Sequence, residues 1–213
     1  MSSKSNCYSF YTFEEMIAVY LQSGFIGLDA ELDFFRKLGA NRDVPDVIKA
    51  EAVLTGYHQR YLNFRNARPF KDIAIKRLAL SKLWNKSFAN FEMLYDATSD
   101  ILKNISYIKD ITKYDVAKRI GVMLPNEVQP QKYVYIQNGA KIGAEALLGR
   151  FISKDDFRLN IEEFTPYLTD LSATHIENIL CIMKDYFVAE GIVSCEAKRF
   201  NICVFNYQRI LDL

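Results

Sequence analysis

ISYIKDITKYDVAKRIGVMLPNEVQPQKYVYIQNGAKIGAEALL, residues 105–148, is the stretch whose reading decides the fold. Ile105, Ile108, Ile111, Val116 and Ile120 are spaced as two short helices joined by a very tight turn. The turn falls at Lys109-Asp110-Ile111-Thr112, with Ile111 tucked back between the helices. Asp tolerates a left-handed backbone, and the Thr112 hydroxyl is a suitable cap for the second helix. That helix, Tyr114–Leu124, stops before Pro125. A polar loop, Asn126–Gln131, then leads to KYVYIQ, a short strand or an extended approach, and to Asn138-Gly139, a strong turn signal. In the helix that follows, Ala140–Leu148, the small residues Gly139, Gly143 and Ala146 leave a face on which another backbone can pack closely.

Working outward, residues 11–38 read as helices. Thr12 and Glu15 form a capping box ahead of Met16, Ile17, Val19, Tyr20 and Leu21. Gly24 and Gly27 interrupt the pattern, Leu28–Leu38 resumes it, and Gly39-Ala40-Asn41 ends it. Pro45 suits the first turn of a helix over Asp46–Tyr61. In residues 57–90, Arg60, Arg65, Arg68, Lys71, Lys76, Arg77, Lys82 and Lys86 stand against one acid, Asp72, and are interleaved with Tyr57, Tyr61, Phe64, Phe70, Trp84 and Phe88. Cations mixed with aromatics suit a groove that follows phosphates and stacks bases. The same segment also reads as core scaffold, with Ile73, Ile75, Leu78, Leu80, Leu83 and Trp84 inward and the cations solvated. Residues 88–104 form an amphipathic helix with Phe91, Leu94, Tyr95 and Ile101 inward. Residues 154–192 read as helical again, with Ser172 capping a helix whose inner face is Ile176, Ile179, Leu180, Met183 and Phe187. Residues 192–207 alternate as a small β-hairpin.

The 213 residues are enough for one sizeable core, and half of them are apolar, which is ordinary globular composition. No apolar run is long enough to span a bilayer, and the first residues lack a signal-peptide hydrophobic segment, so a cytoplasmic protein with no membrane partner is expected. Cys7, Cys181, Cys195 and Cys203 form no CxxC pair, so neither a metal site nor a disulfide frame is expected, and no cofactor motif is present. The net charge of +1 is unevenly spread: −3 over residues 1–56, +8 over 57–153 and −4 over 154–213. A basic middle of this kind points to a polyanion. His58, beside Gln59 and Arg60, reads as a local hydrogen-bond partner, and His175 as a surface residue. Asp115 and Arg119, four apart, read as an intrahelical salt bridge.

The hairpin and the segment after it resemble the helix-hairpin-helix superfamily of base-excision DNA glycosylases, in which the turn reads Gly-apolar-Gly so that backbone N–H groups meet a phosphate. Here Asp110 and Thr112 stand at the two glycine positions. The resemblance also implies an aspartate past the following loop and, in some members, a lysine in the second helix. This chain has Val134–Asn138 without a carboxylate, and Tyr114 at the place nearest that lysine. A second resemblance, over about residues 55–187, is to a family of uncharacterised bacterial proteins. It rests on His58-Gln59-Arg60, Phe91–Tyr95, Tyr114–Gly121, Val134–Ile136 with Gly139–Ala144, and Ile176–Lys184. Those relatives carry a histidine where this chain has Gln137.

The sequence therefore predicts a mainly α, single helical domain with a helix-hairpin-helix-like centre and a small C-terminal β-hairpin. Residues 1–56 and 154–213 would flank a basic core at 57–153. The expected function is non-catalytic binding of a DNA or RNA backbone. The hairpin N–H groups and Thr112 would contact phosphate, and Lys109, Lys113, Arg65, Arg68, Lys76 and Arg77 would supply the field. A helical protein-interaction component of a mobile-element or defence locus is the alternative, with a possible protein partner. A diverged glycosylase-like enzyme stands third, because no catalytic carboxylate is apparent.

Overall fold

The chain is described here from a computed structural model, over residues 7–22, 26–56 and 68–199. It is mainly helical. Among the described residues the helices are α1 (Phe13–Gln22), α2 (Ile26–Ala40), α3 (Asp46–Thr55), α4 (Arg68–Ser81), α5 (Phe91–Leu102), α6 (Asp110–Met123), α7 (Gly139–Leu148) and α8 (Ala173–Ile182). Among the described residues six short strands pair in twos: β1 (Cys7–Phe10) with β6 (Cys195–Arg199), β2 (Tyr133–Tyr135) with β3 (Arg158–Asn160), and β4 (Phe187–Val188) with β5 (Gly191–Ile192), all antiparallel. Contacts gather the chain into two compact units, one of residues 1–26 with 130–204, the other of 27–129 with 205–213. The boundaries at 56/57 and 153/154, drawn from charge, fall inside these units. Among the described residues no helix is long and apolar enough to cross a membrane.

The first unit is organised by α7 and α8. Gly143 lets the two helices touch: a Cβ there would lie 2.1 Å from the Leu180 carbonyl oxygen, so no larger residue fits without moving a backbone. The small-residue face read from the sequence thus packs on α8. Tyr20, Val134, Ile136, Leu147, Phe164 and Ile176 meet in one buried cluster. Ser172 caps α8 by accepting from the His175 amide at 3.3 Å. Thr12 accepts from the Glu15 amide at 3.2 Å, and the Glu15 carboxylate accepts from the Tyr11 amide at 2.6 Å, one residue earlier than an ordinary capping box. His175 is not a plain surface residue. It is half-buried, with Nδ1 2.8 Å from the Tyr20 hydroxyl, which also accepts from Asn178 at 3.1 Å. Of residues 154–192, read as helical, only Ala173–Ile182 is α-helix, so Phe187 enters the core from β4; β6 joins β1, a strand the sequence did not announce, and residues 200–207 of the expected hairpin lie outside the described residues.

The second unit is built round α6. Twelve of its fourteen residues are buried, so it packs on every side and has no solvent face. Among them are Asp115, Lys118 and Arg119. Arg119, expected from spacing to pair locally with Asp115, reaches partners on two other helices. Arg119 donates to Glu31 of α2 at 2.6 Å and to the Val53 carbonyl of α3 at 2.8 Å, and its guanidinium lies over the Phe35 ring at 5.7 Å. Asp115 pairs with Lys118 at 3.5 Å, whose ammonium lies 5.3 Å from the Tyr114 ring centre. A buried charge demands such partners, because an unpaired ion in the interior costs several kcal/mol.

Gly56 makes room for this arrangement. A helix over Asp46–Tyr61 is expected from sequence, but α3 ends at Thr55, and Gly56 follows at φ 43°. A Cβ at Gly56 would collide with the Arg119 guanidinium at 2.0 Å, so both conformation and space call for glycine. Residues 57–67, including Tyr57, His58, Arg60, Tyr61, Phe64 and Arg65, lie outside the described residues. Further along, α3 is tied to the first turn of α4 and to the turn that follows α4. Lys71 pairs with Glu51 at 2.6 Å, and the Trp84 indole donates to Asp46 at 2.9 Å. The indole bond, aided by Lys82, holds the Asp46 carboxyl below the usual aspartate range.

Arg119→Met is expected to lower the unfolding free energy by about 3–5 kcal/mol, because it strands Glu31. Adding Glu31→Leu should recover part of that loss. Urea unfolding of the two single variants and the double variant measures both. Costs that simply add would show that the pair is not coupled.

Candidate nucleic-acid interface

Lys109 through Thr112 do not form a turn. Lys109 is the N-cap of α6, and Asp110, Ile111 and Thr112 are its first helical residues. The amides of Thr112 and Lys113 both donate to the Lys109 carbonyl, at 2.9 and 3.1 Å, closing the first turn of the helix. They are therefore engaged within the helix. The chain reverses instead over residues 103–109, between α5 and α6. Asn104 at φ 59° and Tyr107 at φ 68° supply the left-handed positions that glycines would normally hold. Ile105, Ile108 and Ile111 are buried, as their spacing implies, but the first two anchor this connection rather than a helix.

The connection is strapped to α4 at two points. Phe70 lies 5.4 Å from Tyr107, centroid to centroid, with a 50° tilt. Arg77 donates from Nη1 to the carbonyls of Ile101 at 3.2 Å and Lys103 at 2.9 Å. Seven residues are close to two helical turns, so Phe70 and Arg77 leave α4 on the same side. Arg77 thereby caps the C-terminal end of α5, whose carbonyls have no partner within their own helix.

The predicted cations divide accordingly. Arg68 and Lys76 are exposed on α4, Arg77 is exposed and tied to the end of α5, and Lys109 is exposed where α6 begins. Lys113 is partly covered and pairs with Asp110 at 2.7 Å. Thr112 is buried and lies inside the first turn of α6, where Lys109 and not Thr112 is the N-cap residue. Arg65 lies outside the described residues. Of the α4 residues read as core, Ile75 and Leu78 are buried, whereas Ile73 and Leu80 are 43 and 74 % exposed and Ala74 is buried in their place. No family model, curated protein or solved structure matches this chain.

Two members of this surface were not singled out by sequence reasoning. Lys103 carries the carbonyl that Arg77 grips and pairs with Asp100 at 3.1 Å. Tyr107, 67 % exposed, is the largest ring on the connection. Its signal was present: Ile105, Ile108 and Ile111 mark the inward phase, and Tyr107 falls out of it. Arg68, Lys76, Arg77, Lys103, Lys109 and Lys113 on α4, the connection and the start of α6 are set against Asp72, Asp100 and Asp110. The exposed pairs among them are worth a few tenths of a kcal/mol to about 1 kcal/mol, weak enough for an incoming phosphate to compete. Elsewhere, Lys118 and Arg119 are interior groups and add nothing to a contact surface. Among the described residues no three His, Cys, Asp or Glu side chains gather so as to hold a metal ion.

Arg77→Ala is expected to destabilise the protein by about 1–2 kcal/mol, through two lost charge-assisted bonds at a partly exposed site. It should also speed amide exchange across residues 103–109. Lys76→Ala, on the solvent side of the same helix, should stay within about 0.5 kcal/mol of the parent. Equal effects in chemical unfolding and exchange would contradict the clamp.

Proposed function

We propose that this protein binds the sugar–phosphate backbone of DNA or RNA without catalysis, through α4 and the connection between α5 and α6. The observation that carries the reading is the exposure of Arg77, Lys103, Tyr107 and Lys109 on two segments held together by the Arg77 and Phe70 contacts, with Arg68 and Lys76 exposed elsewhere on α4. Lysine and arginine beside phosphate act mainly by releasing counterions, which requires no base-specific contact. The reading differs from a helix-hairpin-helix grip, since side chains and not turn amides meet the phosphates. It carries with it a cytoplasmic location, in keeping with the free thiol at Cys195.

A second reading, a helical protein-interaction component, draws on Leu80 and Ile73, exposed on the outward side of α4. A glycosylase-like activity has less support, because Val134, Tyr135 and Ile136 are buried core and the segment to Asn138 carries no carboxylate.

Binding of labelled DNA and RNA across a salt series tests the proposal. The logarithm of the affinity should fall linearly with the logarithm of salt, by about 0.7–0.9 for each phosphate neutralised. The Lys76→Glu/Lys109→Glu variant should bind more weakly and reduce that slope by roughly two. Absence of binding at low salt, or an unchanged slope in the variant, would overturn the reading and favour the exposed apolar side of α4.

A further inference from the structure

We infer that the surface on α4 and the 103–109 connection takes unpaired nucleotides, with Tyr107 stacking on a base while the flanking cations hold the phosphates on either side. The inference rests on the backbone-binding reading above and names the class of nucleic acid.

Three features of Tyr107 carry it. Its backbone is left-handed, at φ 68°, where glycine or asparagine is the ordinary occupant and a bulky ring is disfavoured. Its side chain stays 67 % exposed although the connection already buries Ile105 and Ile108 on either side of it. The Ile108 amide donates to the Ile105 carbonyl at 3.2 Å, so the ring stands on a closed, anchored turn. A large ring held in a costly conformation and left two-thirds exposed beyond its contact with Phe70 is unusual, and such strained positions recur where the chain meets a ligand.

The surroundings define the ligand. Phe70 supports Tyr107 from α4, so the ring is backed on one side by protein. Lys109 follows two residues later, and Arg77 is pinned to the Lys103 carbonyl four residues earlier. A planar ring between cations matches the alternation of base and phosphate along a single strand. In a duplex the base faces are covered by their neighbours, so a duplex can use the cations but not Tyr107. Sugar identity plays no part in such a contact, and single strands of DNA and RNA should both engage it.

The test uses the full chain and four labelled probes of one length: single-stranded DNA, single-stranded RNA, the DNA duplex, and an abasic DNA strand that keeps its phosphates. Fluorescence anisotropy should show both single strands binding more tightly than the duplex and the abasic strand. Tyr107→Ala should weaken single-strand binding by roughly ten-fold or more, leave the abasic strand and duplex unchanged, and be rescued by Tyr107→Trp. Tyr107→Asn, which suits the left-handed backbone but lacks a ring, must behave like Tyr107→Ala, which separates loss of stacking from loss of the turn. Equal affinities for all four probes, unaffected by either variant, would overturn the stacking inference and leave backbone binding standing. Failure of every probe to bind would overturn both.

Discussion

A helix with no solvent face that nonetheless carries an aspartate, a lysine and an arginine sets the terms for the second unit. An unpaired ion in the interior costs several kcal/mol, and here each charge of α6 is met by protein. Arg119 is met by Glu31 of α2 and by a carbonyl at the end of α3. That requirement fixes where α2 and α3 lie against α6, and it stops α3 at Gly56, the one residue type that fits beneath the guanidinium. The position of α3 in turn places α4, through Glu51–Lys71 and Asp46–Trp84. The outer face of α4 is thus a consequence of a buried ion pair on the far side of α3.

The same constraint decides which cations face solvent. The basic middle of the chain reads as one field when charges are counted along the sequence, but part of that charge is structural. Lys118 and Arg119 are internal, Lys71 is committed to Glu51, and Arg77, though exposed, gives Nη1 to the end of α5. What remains outward lies along α4 and the connection after α5. This is a smaller surface than the composition suggests, and a more specific one, because Arg77 and Phe70 hold its two halves in register.

Several elements were legible because their signals are local. The Ser172 cap, the Thr12–Glu15 pair, the Asn138-Gly139 entry to α7 and the tight face at Gly143 each depend on residues a few positions apart. The tight turn at 109–112 was misplaced for a physical reason. Ile105 and Ile108 keep a helix-like spacing with Ile111 while serving as anchors of an irregular segment, and spacing alone does not distinguish the two. No glycine or proline marks residues 103–109, where Asn104 and Tyr107 carry the left-handed positions. The partner of Arg119 was missed because proximity in sequence favoured Asp115, four residues away, over Glu31, 88 residues away. Strand β1 owes its existence to β6 near the other end of the chain, and no local pattern announces that pairing.

The most direct test of the account is amide chemical-shift mapping of the protein titrated with a single-stranded oligonucleotide. The account predicts that the largest changes fall on residues 68–77 and 103–109, that Tyr107 is among the strongest, and that the amides buried in the middle of α6 stay still. Changes concentrated in the unit of α7 and α8, or no changes at low salt, would contradict it.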